Sequence, residues 1–156
     1  MIEFLSEIEK HFEECYPREG CGVLAIFKGK LKWFPCTNVA DDEEDFVIDS
    51  KEYISISQKA DIVGVVHSHP DASSKPSDMD IKYCNATGVK YYIFSYPDME
   101  MNIVEPVRET KELYGRDYEF GVNDCFEAAR DYYLSTGLDI PNRPLFEDDW
   151  WDKGLN

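Results

Sequence analysis

Apolar residues near the amino terminus recur every three or four positions, with acidic residues between them. The apolar series is Ile2, Leu5, Ile8, Phe12 and Cys15. This period is typical of an amphipathic helix with one side facing a core. The helix is expected to end at Pro17, because proline interrupts the helical hydrogen-bond ladder.

Six later segments are predicted to be β-strands, because they are short, apolar and bounded by turn-forming residues. They are Cys21 to Phe27, Leu31 to Phe34, Phe46 to Ile48, Ile62 to Val66, Tyr91 to Phe94 and Met101 to Val104. The segment Ile62 to Val66 is a continuous apolar run, which is consistent with burial on both faces of a sheet.

Three further helices are predicted between and after these strands. They run from Ser50 to Ser57, from Pro76-Ser77 to Gly88 and from Asn123 to Ser135. Ser50 is the expected N-cap of the first, while Gly88 and Gly137 are expected to end the other two. The acidic run Asp41 to Asp45 is predicted to be a solvated loop, because like charges cannot be packed together.

The order of these elements predicts a mixed α/β (α+β) domain, a β-sheet flanked by helices, over residues 1–107. Residues 108–116 are charged and are predicted to be a linker, and residues 117–156 form a shorter second segment. The 156 residues, 43% hydrophobic and 14% aromatic, are sufficient for a well-cored globular domain.

The charge and cysteine content narrow the possible partners and location. The chain has 16 basic and 32 acidic residues, a formal net charge of -16, which argues against a nucleic-acid partner. Five cysteines without a CxxC pair argue against a thiolate zinc knuckle and favour a reducing compartment. No apolar run is long enough to span a bilayer, and the first residues lack the signal-peptide pattern. The expected location is the cytoplasm, with no membrane partner.

Two of the three histidines stand two residues apart at the end of the most apolar predicted strand. Side chains two apart in a strand point the same way, so His67 and His69 can face one ion while Ser68 faces away. Asp80 lies in the first turn of the next predicted helix, where its carboxylate can turn back toward the strand end. Two imidazoles, one carboxylate and an open position are typical of a catalytic zinc site.

Each part of this group also has a structural explanation. An isolated His-x-His is often only the polar end of a strand. The segment Ser77 to Asp80 fits a capping box, in which Ser77 caps the helix and Asp80 returns the hydrogen bond. A zinc deaminase, the main alternative on ligand chemistry, would need a His-x-Glu together with a Pro-Cys-x-x-Cys element, and no Pro-Cys-x-x-Cys occurs in the sequence.

The segments His67 to Pro70 and Ser77 to Asp80, separated by six residues, resemble the JAMM signature of the Mov34/MPN/PAD-1 metallopeptidases. The upstream glutamate of that signature corresponds to Glu19, within Pro17 to Leu24. The resemblance covers the part of the chain that ends near Val107. It implies an MPN-type mixed sheet flanked by helices, and a peptide or protein substrate.

The same resemblance implies a role for each matching residue. His67, His69 and Asp80 are then the ligands of one Zn²⁺ ion. Glu19 is then the general base, and Ser77 donates a hydrogen bond to the developing oxyanion.

Other residues compete for two of these roles. Glu13 and Glu14 are rival bases by composition, although they are predicted to lie on the polar face of the first helix. Asp78 is a rival ligand, although its position favours helix capping.

Cys125 follows Asp124 at the predicted start of the last helix, where the helix dipole favours a thiolate. It also shares one helical face with Ala128 and Tyr132, which would make it a small core residue. The segment Tyr118 to Cys125 is similar to the start of NlpC/P60 cysteine peptidases, which implies a nucleophilic role for Cys125. No histidine follows His69, so the base of the usual dyad is missing and the second domain is expected to be incomplete.

A JAMM domain before an NlpC/P60 segment resembles the layout of the tail tip assembly proteins of lambda-like phages. That resemblance implies a peptidase of tail assembly, with other tail tip proteins as partners and a location that includes the virion tail. Three alternatives stay open: a non-catalytic MPN-fold assembly factor, a peptidoglycan endopeptidase acting through Cys125, and an isopeptidase that removes a ubiquitin-like protein. The second segment argues against the last of these.

Overall fold

The computed structural model describes residues 2–42, 45–107, 113–119 and 122–140. A short 3-10 helix, Ile2–Phe4, leads into the first α-helix. The helices are α1 (Leu5–Cys15), α2 (Ser50–Ser57), α3 (Asp78–Thr87) and α4 (Cys125–Ser135). The strands are β1 (Cys21–Phe27), β2 (Lys30–Cys36), β3 (Asp61–Pro70), β4 (Lys90–Tyr96) and β5 (Met101–Val104).

The five strands form one mixed sheet in the order β2-β1-β3-β4-β5. Strands β3 and β4 are parallel and are connected through α3, whereas the other neighbouring pairs are antiparallel. The apolar strand β3 is therefore central, as its composition predicts, and it is paired along both edges. This arrangement confirms the predicted sheet flanked by helices.

Two apolar clusters cover the opposite faces of the sheet. On one face, Ile8 and Phe12 of α1 pack against Leu24, Val66 and Phe94. On the other face, side chains of α2 and α3 join a cluster built around Cys21, Val23, Cys36, Val65 and Tyr91. The second face is the one on which the two histidines of β3 lie, so their surroundings are a packed core that continues to the end of the strand.

Two local predictions are wrong. Phe46 to Ile48 is not a strand: only an isolated bridge between Asn38 and Ile48 forms, because the Val47 N–H donates to the Asn38 side chain and the ladder does not continue. Ser50 is not the N-cap of α2, because it is already helical. The preceding residue, Asp49, takes that role, and its side chain accepts hydrogen bonds from the first-turn amides.

The other elements agree with prediction to within a few residues. Several strands extend further than their apolar cores, α1 begins at Leu5, and α4 begins at Cys125, two residues after the predicted start. Ser77 caps α3 and Gly88 ends it in the left-handed conformation. Among the described residues, no helix is both long and apolar enough to cross a membrane. The predicted linker, residues 108–116, and the predicted segment 117–156 lie partly outside the described residues.

Replacing Phe12 with Ala is expected to destabilise the protein by about 3–5 kcal/mol, because it leaves a cavity in the core. The Phe12 side chain is 1% exposed and its ring lies 5.8 Å from that of Phe94. The free energy of unfolding, measured by urea denaturation, tests this. Tyr114→Ala is the control, since Tyr114 is 88% exposed and should change stability by less than about 0.5 kcal/mol. Equal losses in both variants would contradict the packing of α1 on the sheet.

Candidate metal centre

The end of β3 brings two imidazoles together on one face of the sheet. His67 pairs in register with Cys21 of β1 and with Ile93 of β4, so its strand is held on both sides. The Nε2 atoms of His67 and His69 lie 3.2 Å apart. The prediction that both side chains point to the same face is therefore confirmed.

Asp80 approaches the histidines from the first turn of α3, and its two oxygens have different surroundings. Oδ2 accepts hydrogen bonds from the Ser77 backbone N–H and from the Ser77 hydroxyl, both at 2.7 Å. Oδ1 lies 3.0 Å from His67 Nε2. The capping box that the sequence offered as an alternative is present, and it orients the Asp80 carboxylate toward the imidazoles: Oδ1 lies next to His67, and Oδ2 is 3.5 Å from His69 Nε2.

The spacing of these atoms fits a tetrahedral metal ion. Ligand atoms that are each about 2.0–2.1 Å from a tetrahedral zinc lie about 3.3 Å from one another. The two imidazole nitrogens are 3.2 Å apart. His67 Nε2 lies 3.0 Å from Asp80 Oδ1, and His69 Nε2 lies 3.5 Å from Asp80 Oδ2. The donor set of two imidazoles and one carboxylate can therefore hold one ion.

The hydrogen bonds and the burial of the two histidines differ. His69 Nδ1 lies 2.9 Å from the carbonyl oxygen of Ser73, which can only accept, so Nδ1 carries a proton and Nε2 is the nitrogen that faces Asp80. Burial opposes protonation of His69, but the hydrogen bonds to Asp80 and Ser73 and the nearby Glu19 raise its pKa. Burial lowers the pKa of His67, despite its contact with Asp80, and so favours the neutral imidazole. The His67 ring is stacked on Phe46 with the centroids 4.3 Å apart, which fixes its plane.

Glu19 lies beside this group, two residues before β1, with only 6% of its surface exposed. Its Oε1 is 3.9 Å from His69 Nε2. Burial raises the pKa of Glu19 to about 8; the His69 imidazole opposes this rise, and the carboxylates of Asp80 and Asp45 add to it. A carboxyl group with such a pKa can exchange a proton near neutral pH, which is the property of a general base.

Asp80 differs from Glu19 in its acidity. Burial by itself would favour the neutral carboxyl of Asp80, but the hydrogen bonds from His67, His69 and Ser77 outweigh it and hold its pKa below the usual range. Two neighbouring carboxyl groups thus have pKa values displaced in opposite directions. Such a separation suits a permanent ligand beside a group that exchanges protons.

The main chain of Glu19 is held by two residues that the sequence pattern did not single out. The Asn38 side chain donates to the Glu19 carbonyl oxygen at 2.9 Å. The Ser68 hydroxyl, on the face opposite the histidines, accepts a hydrogen bond from the N–H of Gly20 at 2.9 Å. A polar residue in the middle of a buried apolar strand is a signal that could have identified Ser68, because a buried hydroxyl needs a partner.

A cleft of about 650 Å³ opens onto Glu19, His69 and Asp80. Its other lining residues are Pro17, Asp45, Phe46, Val47, Pro70, Asp71, Ala72, Ser77, Met79 and Tyr83. A space of this size accommodates several residues of an extended peptide. The candidate metal centre is therefore accessible from solvent through this cleft.

Of the other candidate residues, Ser77 lies in the cleft, whereas the rival ligand Asp78 and the rival bases Glu13 and Glu14 are exposed outside the three-ligand group. Ser77 lines the cleft, where its hydroxyl donates to Asp80 and accepts from the Asp80 N–H, so an oxyanion role stays a prediction. Asp78 is exposed and is not part of the three-ligand group. Glu13 and Glu14 are exposed on α1, and Glu14 pairs with Lys10 at 3.5 Å.

Cys125 begins α4 as predicted, after the N-cap Asp124, and its thiol is exposed, so it is not a core residue. None of the described side-chain contacts joins it to an imidazole: His67 and His69 lie in the candidate metal centre and His11 lies against the Cys21 carbonyl. Its nucleophilic role stays a prediction.

The chain is similar to two phage proteins over much of its length. It is 31% identical over 151 residues to tail tip assembly protein K of Escherichia phage N15, a match that covers 96% of this chain and 61% of that protein. It is 28% identical over 106 residues to tail tip assembly protein K of Escherichia phage lambda, which covers 68% of this chain and 50% of that protein. The chain thus spans between half and two-thirds of the length of these relatives.

The domain that contains the sheet is similar to a solved structure and also matches a protein family. A protein from Desulfitobacterium hafniense, known from a solution structure, is similar with a TM-score of 0.54 and 20% identity, over 67% of this chain and 88% of that chain. At this identity the likeness shows the fold alone. Residues 2–106 match the family described as prokaryotic homologs of the JAB domain, and this range includes all five strands and the candidate metal centre. The chain therefore belongs to the JAB/MPN family of prokaryotic JAB-domain homologs and is homologous to phage tail tip assembly protein K.

Proposed function

We propose that this chain is a zinc-dependent peptidase of the JAMM type, which hydrolyses a peptide or isopeptide bond during phage tail tip assembly. The observation that carries the proposal is the convergence of His67 Nε2, His69 Nε2 and the Asp80 carboxylate, at spacings that suit a tetrahedral zinc, on a solvent-open cleft. His67, His69 and Asp80 are the proposed ligands of one Zn²⁺ ion.

Zinc, when bound at such a site, supplies Lewis acidity that activates water and polarises the substrate carbonyl group. Glu19 is the proposed general base. It accepts the proton of the attacking water and returns it to the leaving amine, which its burial and raised pKa both favour. Ser77 is proposed to turn its hydroxyl from Asp80 toward the developing oxyanion when substrate occupies the cleft.

The phage context of the proposal comes from the homologous tail tip assembly proteins. The proposed substrate is a peptide or protein that is processed while the tail tip is built, and other tail tip proteins are the proposed partners. The proposed location is the cytoplasm where tails assemble, or the virion tail itself. A net charge of -16 favours partners with basic surfaces.

Metal analysis combined with a cleavage assay tests this proposal. The purified chain is expected to contain about one zinc per molecule, a ratio that three protein ligands can maintain. Incubated with a mixed peptide library or with purified tail tip proteins, it should generate new amino termini that mass spectrometry detects. A chelator should stop this cleavage and added zinc should restore it. A protein that holds zinc but cleaves none of these substrates would favour the non-catalytic assembly factor.

A second candidate function rests on Cys125, which is exposed at the first turn of α4. Residues 1–107 are the proposed JAB domain and residues 108–116 the linker. Residues 117–156 are the proposed beginning of an NlpC/P60-like segment with Cys125 as its nucleophile. A peptidoglycan zymogram of the chain beside Cys125→Ser tests it. This activity would be supported if the wild-type protein clears the peptidoglycan and the Cys125→Ser variant does not.

A further inference from the structure

Ser68 lies between His67 and His69 in sequence, and its side chain points to the opposite face of β3. It is 1% exposed, so its hydroxyl requires a hydrogen-bond partner within the protein. The hydroxyl and the backbone N–H of Ser68 both form hydrogen bonds with Gly20. The hydroxyl oxygen accepts from the Gly20 N–H at 2.9 Å, and the Ser68 N–H donates to the Gly20 carbonyl oxygen at 3.0 Å.

The peptide group between Glu19 and Gly20 is consequently held at both ends. Its N–H is bonded to Ser68, and its carbonyl oxygen accepts from the Asn38 side chain at 2.9 Å. The chain also has little freedom on the side of α1, because a Cβ atom on Gly20 would lie 2.6 Å from the Phe12 ring. The backbone that carries Glu19 is therefore confined between α1 and β3.

We propose that Ser68 is a positioning residue, which holds the carboxylate of Glu19 against the centre formed by His67, His69 and Asp80. One strand then carries two ligands on one face and the anchor of the base on the other. The inference rests on the proposed function, since it assigns Glu19 the role of base.

The physical need for such an anchor follows from the surroundings of Glu19. Burying a carboxylate is unfavourable, and an unrestrained Glu19 side chain would gain by moving toward the water in the cleft. A general base must stay within hydrogen-bond reach of the proton that it accepts, and a displacement of about 1 Å can cost about 100-fold in rate. Fixing the adjacent peptide group limits this displacement.

Replacing Ser68 with Ala tests the proposal, because it removes the hydroxyl acceptor and leaves the backbone bond. In the metal-free protein, the Gly20 amide should exchange its hydrogen about tenfold faster or more, as measured by NMR. In the zinc-loaded protein, metal content and KM should be unchanged. The value of kcat should fall about 10- to 100-fold.

Ser95→Ala is the matched control. Ser95 is also buried, on β4, and its hydroxyl accepts a backbone hydrogen bond from Glu100 at 3.0 Å. This variant loses the same kind of bond without touching the Glu19 backbone, so Gly20 exchange and kcat should both stay at the wild-type values. If Ser68→Ala does not fold, Ser68→Cys preserves the shape with a weaker acceptor and should change both quantities in the same direction.

A measurement that needs no substrate separates this inference from the proposed function. With Co²⁺ in place of zinc and ¹³C in the Glu19 carboxyl group, paramagnetic relaxation reports the distance from that group to the metal. The relaxation should weaken in Ser68→Ala and stay unchanged in Ser95→Ala. If it stays unchanged in Ser68→Ala, the positioning role is overturned even if the protein is a peptidase. If it weakens but the wild-type protein cleaves nothing, only the proposed function fails. A wild-type protein that binds no metal would overturn both.

Discussion

Replacing Glu19 with Gln is expected to lower the rate of hydrolysis by about 10²–10⁴-fold while zinc stays bound. Glutamine keeps the size of the side chain but cannot accept the proton of the attacking water. Metal should be retained, because Glu19 lies 3.9 Å from His69 Nε2 and is outside the group of three converging ligand atoms. Zinc content by mass spectrometry and initial rates on a substrate found in the library test both parts.

Glu14→Gln is the control for this variant. Glu14 has the same chemistry and lies near Glu19 in sequence, but it is exposed on α1 and pairs with Lys10. It should change neither zinc content nor rate. If Glu19→Gln retains full activity, the base is another residue. If instead it loses zinc as completely as a ligand variant does, Glu19 is itself a ligand.

Replacing His69 with Ala is expected to remove both zinc and activity, because one of three protein ligands is lost. Losing a residue that only orients a metal ligand typically lowers zinc affinity about 10- to 100-fold. Losing a ligand itself should lower the zinc affinity by more than this. Thermal stability gives a second measurement. Zinc at about 100 times its dissociation constant stabilises a protein that binds it by about 2.7 kcal/mol, so added zinc should raise Tm in the wild-type protein and not in His69→Ala.

Two carboxylates of α3 provide a matched pair for the same test. Asp80→Asn removes the proposed ligand charge while an amide oxygen remains to accept the hydrogen bond from the Ser77 N–H, and it should lose zinc. Asp78→Asn makes the same change two residues away, at an exposed position, and should keep zinc and activity. Zinc loss in Asp78→Asn, or zinc retention in both His69→Ala and Asp80→Asn, would contradict the assigned ligand set.

Local patterns in the sequence were enough for most of the fold. The period of the apolar residues identified α1, short apolar runs identified β1, β5 and the central strand, and the Ser77 and Gly88 signals bounded α3. One of the two wrong predictions arose where a side chain replaced a backbone partner. The predicted strand at Phe46 is absent because Asn38 bonds to the Val47 N–H, a contact between residues nine apart that no local pattern contains.

The donor atoms of the candidate metal centre were also predictable, because alternation along a strand is a local property. Residues 67 and 69 must share a face wherever the strand lies. Asp80 was harder, since its capping role and its ligand role were presented as alternatives. The structure combines them: one oxygen binds Ser77 and the other lies 3.0 Å from His67.

The sequence by itself determined which side chains can bind a metal and that two of them face the same way. Only the tertiary structure decided the distance of Glu19 from them, its burial and the bond from Ser68 to the backbone beside it. These features depend on the antiparallel pairing of β1 with β3, which joins residues nearly fifty positions apart. That pairing arises from burying apolar residues on both faces of the sheet, a property of the whole packed domain that no short segment contains.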